Sequence, residues 1–301
     1  MDEGQFRAEL MRWYARHGRH ELPWRRTRDP YAVLVSEVML QQTQVERVRP
    51  YYKRWLERWP SVGELAKASP AEVIREWAGL GYNRRALYLQ RMAVAVMERY
   101  GGTLPLEVEE LRTLPGIGPY TASAVACFAG ERRVPVADTN IQRVLARAVL
   151  GRARARDCEP AALRAAAERL LPEEGARAHN LALMDLGAMV CASRAPQCDG
   201  CPVAGLCRWR LAGQPEGETS GQRTPKFEHT ARFARGRIVD ALRTADGLDA
   251  SELAALLPDH HRDHVPRYLR SLEVDGLIEQ DAEGRWRLPG QGRMSMASPK
   301  L

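Results

Sequence analysis

The sequence lacks any apolar run long enough to cross a lipid bilayer, so no part of it is expected to span a membrane. Its first residues begin acidic and lead into an amphipathic stretch, which excludes a secretory signal peptide. No internal repeat recurs at a fixed period, and no strand pair is predicted before residue 210. We therefore expect a helical protein of the cytoplasm.

Cysteine is scarce, with six residues in 301, and the absence of an export signal argues against disulfides. Four of the cysteines share one short stretch with the spacing C-x6-C-x2-C-x5-C: Cys191, Cys198, Cys201 and Cys207. Four thiolates suit a tetrahedral zinc or an iron–sulfur cluster. Structural zinc usually takes two short C-x2–4-C pairs, and only one is present, which favours the cluster. Cys127 is expected in the core, and no role is assigned to Cys158.

The charge balance is basic, with a formal net charge of +7 and a sequence pI near 9.3. Most of the basic residues are arginines, whose planar guanidinium groups bind phosphate oxygens in a bidentate way. This composition is typical either of a protein with a polyanionic partner or of a solvated surface.

Apolar residues recur at helical spacing along most of the chain. Helices are predicted at Ser36–Val48, Ser69–Trp77, Arg84–Tyr100, Thr121–Ala129 and Thr139–Leu150. The predicted breaks between helices fall at Pro30, Pro50, Pro60, Gly79-Leu80-Gly81, Gly101-Gly102 and Pro115-Gly116.

The composition changes to Gly, Pro, Glu, Thr and Gln at residues 211–235, which predicts a linker. A compact module is predicted at residues 236–289 and a disordered tail at 290–301. The module's elements are predicted at Arg237–Thr244, Ser251–Leu257 and Val265–Asp275 for helices, and at Leu277–Gln280 and Arg285–Leu288 for a hairpin. Three helices and a hairpin form the outline of a winged helix. It would serve as a structural cap or as a DNA-binding face carrying Arg267, Arg270, Arg285 and Arg287.

A glycine-rich turn, Leu114-Pro115-Gly116-Ile117-Gly118, leads into a predicted helix. Two glycines allow a tight hairpin whose backbone N–H groups point outward beside a helix N-terminus, which favours anions. The alternative is a simple connecting loop.

Two carboxylates stand out by their local context. Glu37 lies within an apolar helical stretch, where a carboxylate is unfavourable unless it has a partner or a function, although an exposed position would also explain it. Asp138 precedes a predicted helix, where an aspartate most often serves as the N-cap.

These motifs together resemble the MutY-type adenine DNA glycosylases of the helix-hairpin-helix (endonuclease III) superfamily, in a short form without the Nudix-like C-terminal domain. The resemblance runs from about Gln5 to Trp209 and places four separate motifs in the right order. The four motifs are Ser36-Glu37-Val38-Met39-Leu40-Gln41-Gln42-Thr43, the hairpin at 114–118, Asp138 with Asn140, and the cysteine loop. Two further segments, Leu22-Pro23-Trp24-Arg25 and Gly79-Leu80-Gly81-Tyr82, fit the same family.

The resemblance implies an all-α, two-lobed glycosylase domain over residues 1–210. The six-helix lobe would span about 31–136, and the cluster lobe would comprise 1–30 and 137–210. The four spaced cysteines would hold a [4Fe–4S] cluster. The partner would be nucleoid DNA in double-stranded form, containing a mismatch or an oxidised base, and the chain is expected to be a monomer.

The resemblance also implies the site residues. Glu37 would be the catalytic acid, and Asp138 would stabilise the cationic sugar electrostatically or trap it covalently. Tyr120 and Asn140 would complete the catalytic set. Tyr120 replaces the lysine that forms a Schiff base in bifunctional members, so a monofunctional enzyme is predicted. DNA contacts are expected from Trp24, Arg25, Leu40, Gln41, Gln42, Thr43, Tyr82, Pro115, Gly116, Ile117 and Gly118.

Two other functions stay open on the sequence alone. Leu181 fits a thymine- or uracil-removing mismatch branch, because many adenine-removing members carry Glu or Gln there, whereas Gln41, Gln42 and Tyr82 favour the adenine branch. A non-catalytic iron–sulfur DNA-binding regulator is the third hypothesis, and the presence of both Glu37 and Asp138 argues against it.

Overall fold

The computed structural model describes residues 1–215 and 226–290. Part of the predicted linker at 211–235 and all but the first residue of the predicted tail at 290–301 lie outside these ranges. The described chain divides into two compact units. The first comprises Met1–Glu37, Leu104–Thr113 and the residues from Ile117 to position 215, and the second comprises Val38–Thr103, Leu114–Gly116 and residues 226–290. The predicted limits of the two lobes stay a prediction.

The first unit is built from helices. They are α1 (Glu3–His17), the start of α2 (Pro30–Leu40), α7 (Val108–Leu111), α8 (Pro119–Phe128), α9 (Thr139–Ala148), α10 (Pro160–Leu170), α11 (Ala176–Met189) and α12 (Arg208–Leu211). Short 3-10 turns occur at Pro23–Arg25, Ala155–Asp157, Cys198–Gly200 and Ala204–Leu206. Helix α11 packs against both α1 and α9.

Helix α1 illustrates why these segments are helical. Asp2 caps its first turn by accepting a hydrogen bond from the backbone N–H of Gln5 at 2.9 Å. Phe6, Leu10 and Tyr14 follow at four-residue spacing and are buried on one face. Helix α2 begins in a similar way, because Asp29 accepts hydrogen bonds from the first turn and Pro30 fits a position that needs no N–H donor.

The second unit holds the remaining helices and the only strands of the described residues. The elements are α3 (Val45–Arg58), α4 (Val62–Lys67), α5 (Pro70–Glu76), α6 (Arg84–Tyr100), α13 (Ala231–Leu242), α14 (Ala250–Ala255), α15 (Asp259–Arg262), α16 (Val265–Val274), β1 (Glu279–Gln280) and β2 (Trp286–Arg287). Its core centres on Trp55 and Trp77, whose rings meet edge to face with centroids 5.4 Å apart. Across the described residues, no helix has the length and apolarity that a membrane crossing needs.

The prediction of one helix over Ser36–Val48 is wrong, because α2 ends at Leu40 and α3 begins at Val45. Gln42 adopts a left-handed backbone conformation with φ of 55°. Three carbonyls at the end of α2, those of Val38, Met39 and Gln41, accept hydrogen bonds from the Arg85 side chain. A side chain distant in sequence therefore ends this helix.

The prediction that Pro50 breaks a helix is also wrong, since Pro50 lies inside α3. Proline removes one backbone hydrogen bond from a helix interior. The buried residues Val48, Tyr52 and Trp55 lie on one face of α3 and keep the helix in place through their packing.

The C-terminal segment begins earlier than predicted. A 3-10 turn at Phe227–His229 and helix α13, which starts at Ala231, occupy the end of the predicted linker. Thr230 caps α13 by accepting a hydrogen bond from the Phe233 N–H, a signal that the linker interpretation overlooked. Strands β1 and β2 pair antiparallel on either side of residues 281–284. Leu248 forms an isolated antiparallel bridge to Trp286, with backbone hydrogen bonds in both directions.

Candidate active site

Glu37 lies on α2 with only 6% of its surface exposed, within an almost wholly apolar helix. Its Oε2 atom accepts a hydrogen bond from the Tyr120 hydroxyl at 2.7 Å. Burial raises the pKa of Glu37 to about 7, and the nearby Asp138 carboxylate adds to this rise. The Tyr120 hydrogen bond and the charge of Arg25 oppose it. Glu37 can therefore hold or release a proton near neutral pH.

Tyr120 lies in the first turn of α8, directly after the glycine-rich turn. Burial raises the pKa of its phenol well above 10, and the charges of Glu37 and Asp138 raise it further. Tyr120 therefore stays protonated and remains the hydrogen-bond donor to Glu37.

Asp138 is the N-cap of α9, as its position in the sequence suggested, and it also belongs to the site around Glu37. Its Oδ1 atom accepts a hydrogen bond from the Ile141 N–H at 2.7 Å, and its Oδ2 atom accepts one from the Asn140 side chain at 2.8 Å. The pKa of Asp138 is raised overall, because burial outweighs these hydrogen bonds, which lower it. Both oxygens are thus held by donors that favour the ionised form.

Asn140 is itself held in place by residues that the sequence analysis missed. Its Oδ1 atom accepts a hydrogen bond from Arg143 at 2.9 Å, and the same guanidinium donates to the carbonyls of Gly187 and Cys191 at 2.6 Å and 2.7 Å. A Cβ at Gly187 would lie 2.7 Å from the Asn140 Cβ, so only glycine allows α11 to approach α9 this closely. The polar stripe of Asn140, Arg143 and Arg147 on α9 was the available sequence signal.

Trp24 and Arg25, which were predicted to bind substrate or DNA, both have buried side chains, and that role stays a prediction. Trp24 is 6% exposed. The Arg25 side chain is also 6% exposed and forms an ion pair with the fully buried Asp185 at 3.0 Å. Arg19 binds the same carboxylate through its backbone N–H and side chain. Arg25 therefore acts in this structure as a buried charge whose field reaches Glu37.

The four spaced cysteines line one small cavity together with Arg147, Trp209 and Arg210. Burial raises the pKa of the Cys201 thiol to about 11, and the other three cysteines raise it further. Arg147 donates to the Cys191 Sγ atom at 3.4 Å and to the Ala192 carbonyl at 2.7 Å, and its guanidinium carbon lies 4.8 Å from the centroid of the Trp209 ring.

The spacing of these side chains bears on which metal group fits. Among the residues that the structure describes, no three His, Cys, Asp or Glu side chains are placed to hold one metal ion. A tetrahedral zinc, with Zn–S bonds of about 2.3 Å, draws its sulfurs to within about 4 Å of each other. A [4Fe–4S] cluster takes one cysteine at each iron and needs a wider ring of thiolates. Four thiols around one cavity supply the donor set that a [4Fe–4S] cluster takes.

Arg85, which sequence reasoning missed, joins two of the predicted DNA-binding loops. The first loop comprises residues 40–43 and the second comprises residues 79–82. The Arg85 side chain is buried, and it donates to the carbonyls of Leu80 and Gly81 as well as to those at the end of α2, with all five contacts at 2.7–2.9 Å. It also donates to the Thr43 hydroxyl at 3.2 Å. Arg85 occupies a buried helical stripe with Leu89, Met92 and Val96, and a charge on such a stripe was the signal available in the sequence.

Gln42 and Tyr82 lie at the tips of these two loops and are exposed. Both have left-handed backbones, with φ of 55° and 47°, which is uncommon outside glycine. Leu40, Gln41 and Thr43 are half-buried. Of the four predicted contact residues in this first loop, only Gln42 is exposed.

The glycine-rich turn takes the predicted form of a tight turn before a helix. Gly116 has φ of +77°, and a Cβ there would lie 2.5 Å from the Cβ of Tyr88, so glycine is required. Gly118 is the N-cap of α8 without a capping side chain, which leaves the helix N-terminus open. Pro115 is half-buried, whereas the Ile117 side chain is buried. Leu181 is also buried, with 3% of its surface exposed.

A comparison with known families matches residues 35–173 to the HhH-GPD superfamily of base excision DNA repair proteins. The adenine DNA glycosylase of Mycolicibacterium smegmatis is 47% identical over 292 residues, which cover 95% of this chain and 96% of that protein. The adenine DNA glycosylase of Mycobacterium tuberculosis is 44% identical over 290 residues, covering 95% and 94%. The human adenine DNA glycosylase is 43% identical over 226 residues, covering 70% and 40%.

Solved structures agree with this assignment of the fold. A thermostable thymine-DNA glycosylase superposes with a TM-score of 0.65 at 31% identity, covering 70% of this chain and 97% of that chain. Endonuclease III in a non-covalent complex with DNA superposes with a TM-score of 0.61 at 23% identity, covering 71% and 98%. The described chain therefore has the mostly helical fold of these glycosylases.

Proposed function

We propose a mechanism on one premise: this chain belongs to the adenine DNA glycosylases of the HhH-GPD superfamily. It is an N-glycosylase that removes adenine from DNA in base excision repair. The proposal concerns which residues carry out the reaction and which substrate they select. The observation that carries it is the buried Glu37 carboxyl, which accepts a hydrogen bond from Tyr120 beside the capped Asp138.

Glu37 is the general acid of the proposed reaction. With a pKa of about 7, a large share of Glu37 is protonated at neutral pH, and it can donate that proton to N7 of an adenine taken out of the duplex. Protonation makes adenine a better leaving group, so the C1′–N9 bond breaks and its electron pair leaves with the base.

Asp138 stabilises the positive charge that develops on the sugar. Its two oxygens are fixed by Ile141 and Asn140, so the charge is oriented before the reaction begins. Water then adds to C1′, and the proton of that water passes to the Glu37 carboxylate, which restores the acid. One protonated and one ionised carboxyl thus divide the work.

Tyr120 makes the reaction monofunctional. Its phenol cannot form an imine with the sugar, and its high pKa keeps it a hydrogen-bond donor to Glu37. The product of the proposed reaction is an abasic site in an unbroken strand.

The proposed substrate is adenine mispaired with 8-oxoguanine or guanine in double-stranded DNA. The hairpin residues Pro115, Gly116, Ile117 and Gly118 would hold the phosphate backbone through the open N-terminus of α8. Gln42 and Tyr82, which are exposed, would meet the base stack, with Leu40, Gln41 and Thr43 shaping that loop. Monomeric state and cytoplasmic location stay predictions.

Cys191, Cys198, Cys201 and Cys207 would hold a [4Fe–4S] cluster, since four thiols line one cavity and supply the donor set that such a cluster takes. When bound, the cluster would cross-link the loop through iron–thiolate bonds. Arg147 and Arg210 support the loop directly, because they donate hydrogen bonds to its carbonyls at Ala192 and Cys198.

A single-turnover assay on labelled duplexes tests the function. The substrates are adenine opposite 8-oxoguanine, adenine opposite guanine, thymine opposite guanine and uracil opposite guanine, each with and without alkali. We expect release of adenine alone, with strand breaks only after alkali treatment. Release of thymine or uracil would instead establish the mismatch alternative, and strand breaks without alkali would overturn the role given to Tyr120.

Replacement of the acid tests the mechanism. We expect Glu37→Gln to abolish adenine release and to leave duplex binding largely intact, because glutamine keeps the shape of the side chain but cannot donate the proton. In the wild-type protein, the rate of base release should fall as the pH rises through about 7. Full activity of the glutamine variant would exclude Glu37 as the acid.

A further inference from the structure

The C-terminal segment touches the exposed Tyr82 directly. Arg232, near the start of α13, donates a hydrogen bond from its NH1 to the Tyr82 hydroxyl. Its guanidinium carbon lies 5.1 Å from the centroid of the Tyr82 ring and 4.9 Å from that of the Phe227 ring. Arg232 therefore contacts two aromatic rings. Tyr82 belongs to the segment Val38–Thr103 of the second unit, and Phe227 belongs to its C-terminal segment, residues 226–290.

These aromatic rings are unusually exposed. Tyr82 is 39% exposed and Phe227 is 54% exposed, so neither ring belongs to the core. Cation–π contacts of this kind stabilise by about 0.5–1 kcal/mol at exposed sites, enough to favour one ring position without locking it. Because the backbone of Tyr82 is left-handed, its side chain projects from a turn rather than from a helix.

The surrounding cleft carries an excess of positive charge. Gln41, Gln42 and Tyr82 line it together with Phe227, Arg232 and Arg237. Two cleft arginines, Arg84 and Arg235, share the single carboxylate of Asp275. Within the described ranges, no carboxylate lies within ion-pair distance of Arg232 or Arg237. Guanidinium groups without a carboxylate partner, beside exposed aromatic rings, suit a nucleic-acid duplex.

We propose that Arg232 is a positioning residue for Tyr82, so that the C-terminal module is part of the surface that probes the lesion. This inference rests on the proposed function, in which Tyr82 meets the base stack. Arg232 would hold the Tyr82 ring in one orientation before DNA binds, which lowers the conformational entropy lost when the ring enters the stack. The module thus acts through Tyr82 rather than as an independent DNA-binding domain.

A double-mutant cycle tests the coupling. The protein's binding preference is its affinity for a duplex with adenine opposite 8-oxoguanine divided by its affinity for a matched duplex. We expect Arg232→Ala to lower this binding preference about tenfold. In a Tyr82→Ala background the same change should have almost no further effect, because the ring that it positions is gone. Additive losses in the double variant, or a gain in preference from Arg232→Ala, would overturn the proposal.

Arg237→Ala is the matched control. Arg237 lies on the same helix and lines the same cleft, and among the contacts of the described residues none joins it to Tyr82. Both arginines are exposed, so neither change should disturb folding. We expect Arg237→Ala to lower the affinity for the lesion duplex and for the matched duplex by the same factor, whether or not Tyr82 is present. If Arg232→Ala behaves in the same way, Arg232 contributes charge alone and the positioning role is wrong.

The readout separates this inference from the proposed function. The fluorescence of 2-aminopurine next to the lesion reports unstacking of the duplex without requiring base release. Arg232→Ala should reduce and slow that signal, and Arg232→Lys should not restore it, because an ammonium group lacks the planar fork. Unchanged fluorescence in Arg232→Ala would overturn the inference even if adenine is released. A wild-type protein that releases no base but shows the coupled signal would contradict the proposed function instead.

Discussion

At the scale of single residues, the Glu37 carboxyl that suits catalysis is unfavourable for folding. Its pKa rises from an ordinary value of 4.5 to about 7 on burial. Below pH 4.5 the group is protonated whether or not the chain is folded, and burial then carries no ionisation cost. As the pH rises from 4.5 through 7, the unfolded chain ionises first, so the folded state loses stability.

We therefore predict that the free energy of unfolding of the wild type falls relative to Glu37→Gln across that pH range. A shift of roughly 2.5 pH units corresponds to about 3 kcal/mol, and the difference should stay constant above pH 7. Urea unfolding of both proteins between pH 4.5 and 8 measures it. A difference that does not change with pH would show that Glu37 ionises normally.

Gly187 is a second residue with a sharp consequence. An added Cβ would lie 2.7 Å from the Asn140 Cβ and 2.8 Å from the Asn140 carbonyl oxygen. We predict that Gly187→Ala displaces the first turn of α9, lowers stability by about 1–3 kcal/mol and slows adenine release by about 100-fold. Single-turnover rates at saturating enzyme measure the second effect.

Gly236→Ala provides the control for that variant. Gly236 also lies within a helix, but a Cβ there meets nothing within 4 Å. Alanine should be tolerated at this position or be slightly stabilising. Equal losses in both variants would mean that the contact with Asn140 is not the cause.

At the scale of elements, one side chain on α6 shapes two loops. Arg85 donates to five backbone carbonyls and one hydroxyl, and its burial lowers its pKa to about 10, which leaves it charged at neutral pH. We predict that Arg85→Met lowers the free energy of unfolding by about 3–5 kcal/mol, because the buried acceptors lose their donor.

Arg91→Met is the matched change, since Arg91 lies on the same helix and is exposed. It should alter the free energy of unfolding by less than about 0.5 kcal/mol. Chemical denaturation of the two variants gives the comparison. A small loss for Arg85→Met would mean that the loops keep their conformation without the guanidinium.

The helices that the sequence predicted well are those whose signals are local. Arg84–Tyr100 has the predicted bounds, and the helix predicted over Thr139–Leu150 ends two residues earlier. The failures depend on distant partners. The break at residues 41–44 is imposed by Arg85, and Pro50 is retained in α3 because its buried face is packed. Periodicity reports neither effect, since both arise from tertiary structure.

At the scale of the whole molecule, the relatives confirm the family and the adenine glycosylase activity that the motifs indicated. The proposed catalytic residues could be predicted from the sequence because their motifs are short and ordered. The supporting residues could not. Arg143 and Gly187 are ordinary in the sequence, and only the packing of α9 against α11 gives them a role.

The cysteine loop supplies a prediction for the intact protein. Purified under reducing, anaerobic conditions, it should be brown, absorb near 400 nm and contain about four irons per chain. Replacing Cys198 with serine should lower the iron content and loosen the loop, whereas Cys158→Ser should not, because Cys158 lies outside the cavity. A colourless protein containing one zinc would reverse the assignment.

The contacts of Arg85 also limit how this protein can be re-engineered. The conformation of residues 41–43 depends on a guanidinium more than forty positions downstream. The loop alone is therefore not expected to keep this conformation in another protein. A designer who grafts it onto another scaffold must carry Arg85 and the Leu80–Gly81 turn with it, and must reproduce their spacing. Libraries that vary the loop while keeping Arg85 should therefore yield more folded members than libraries that vary both.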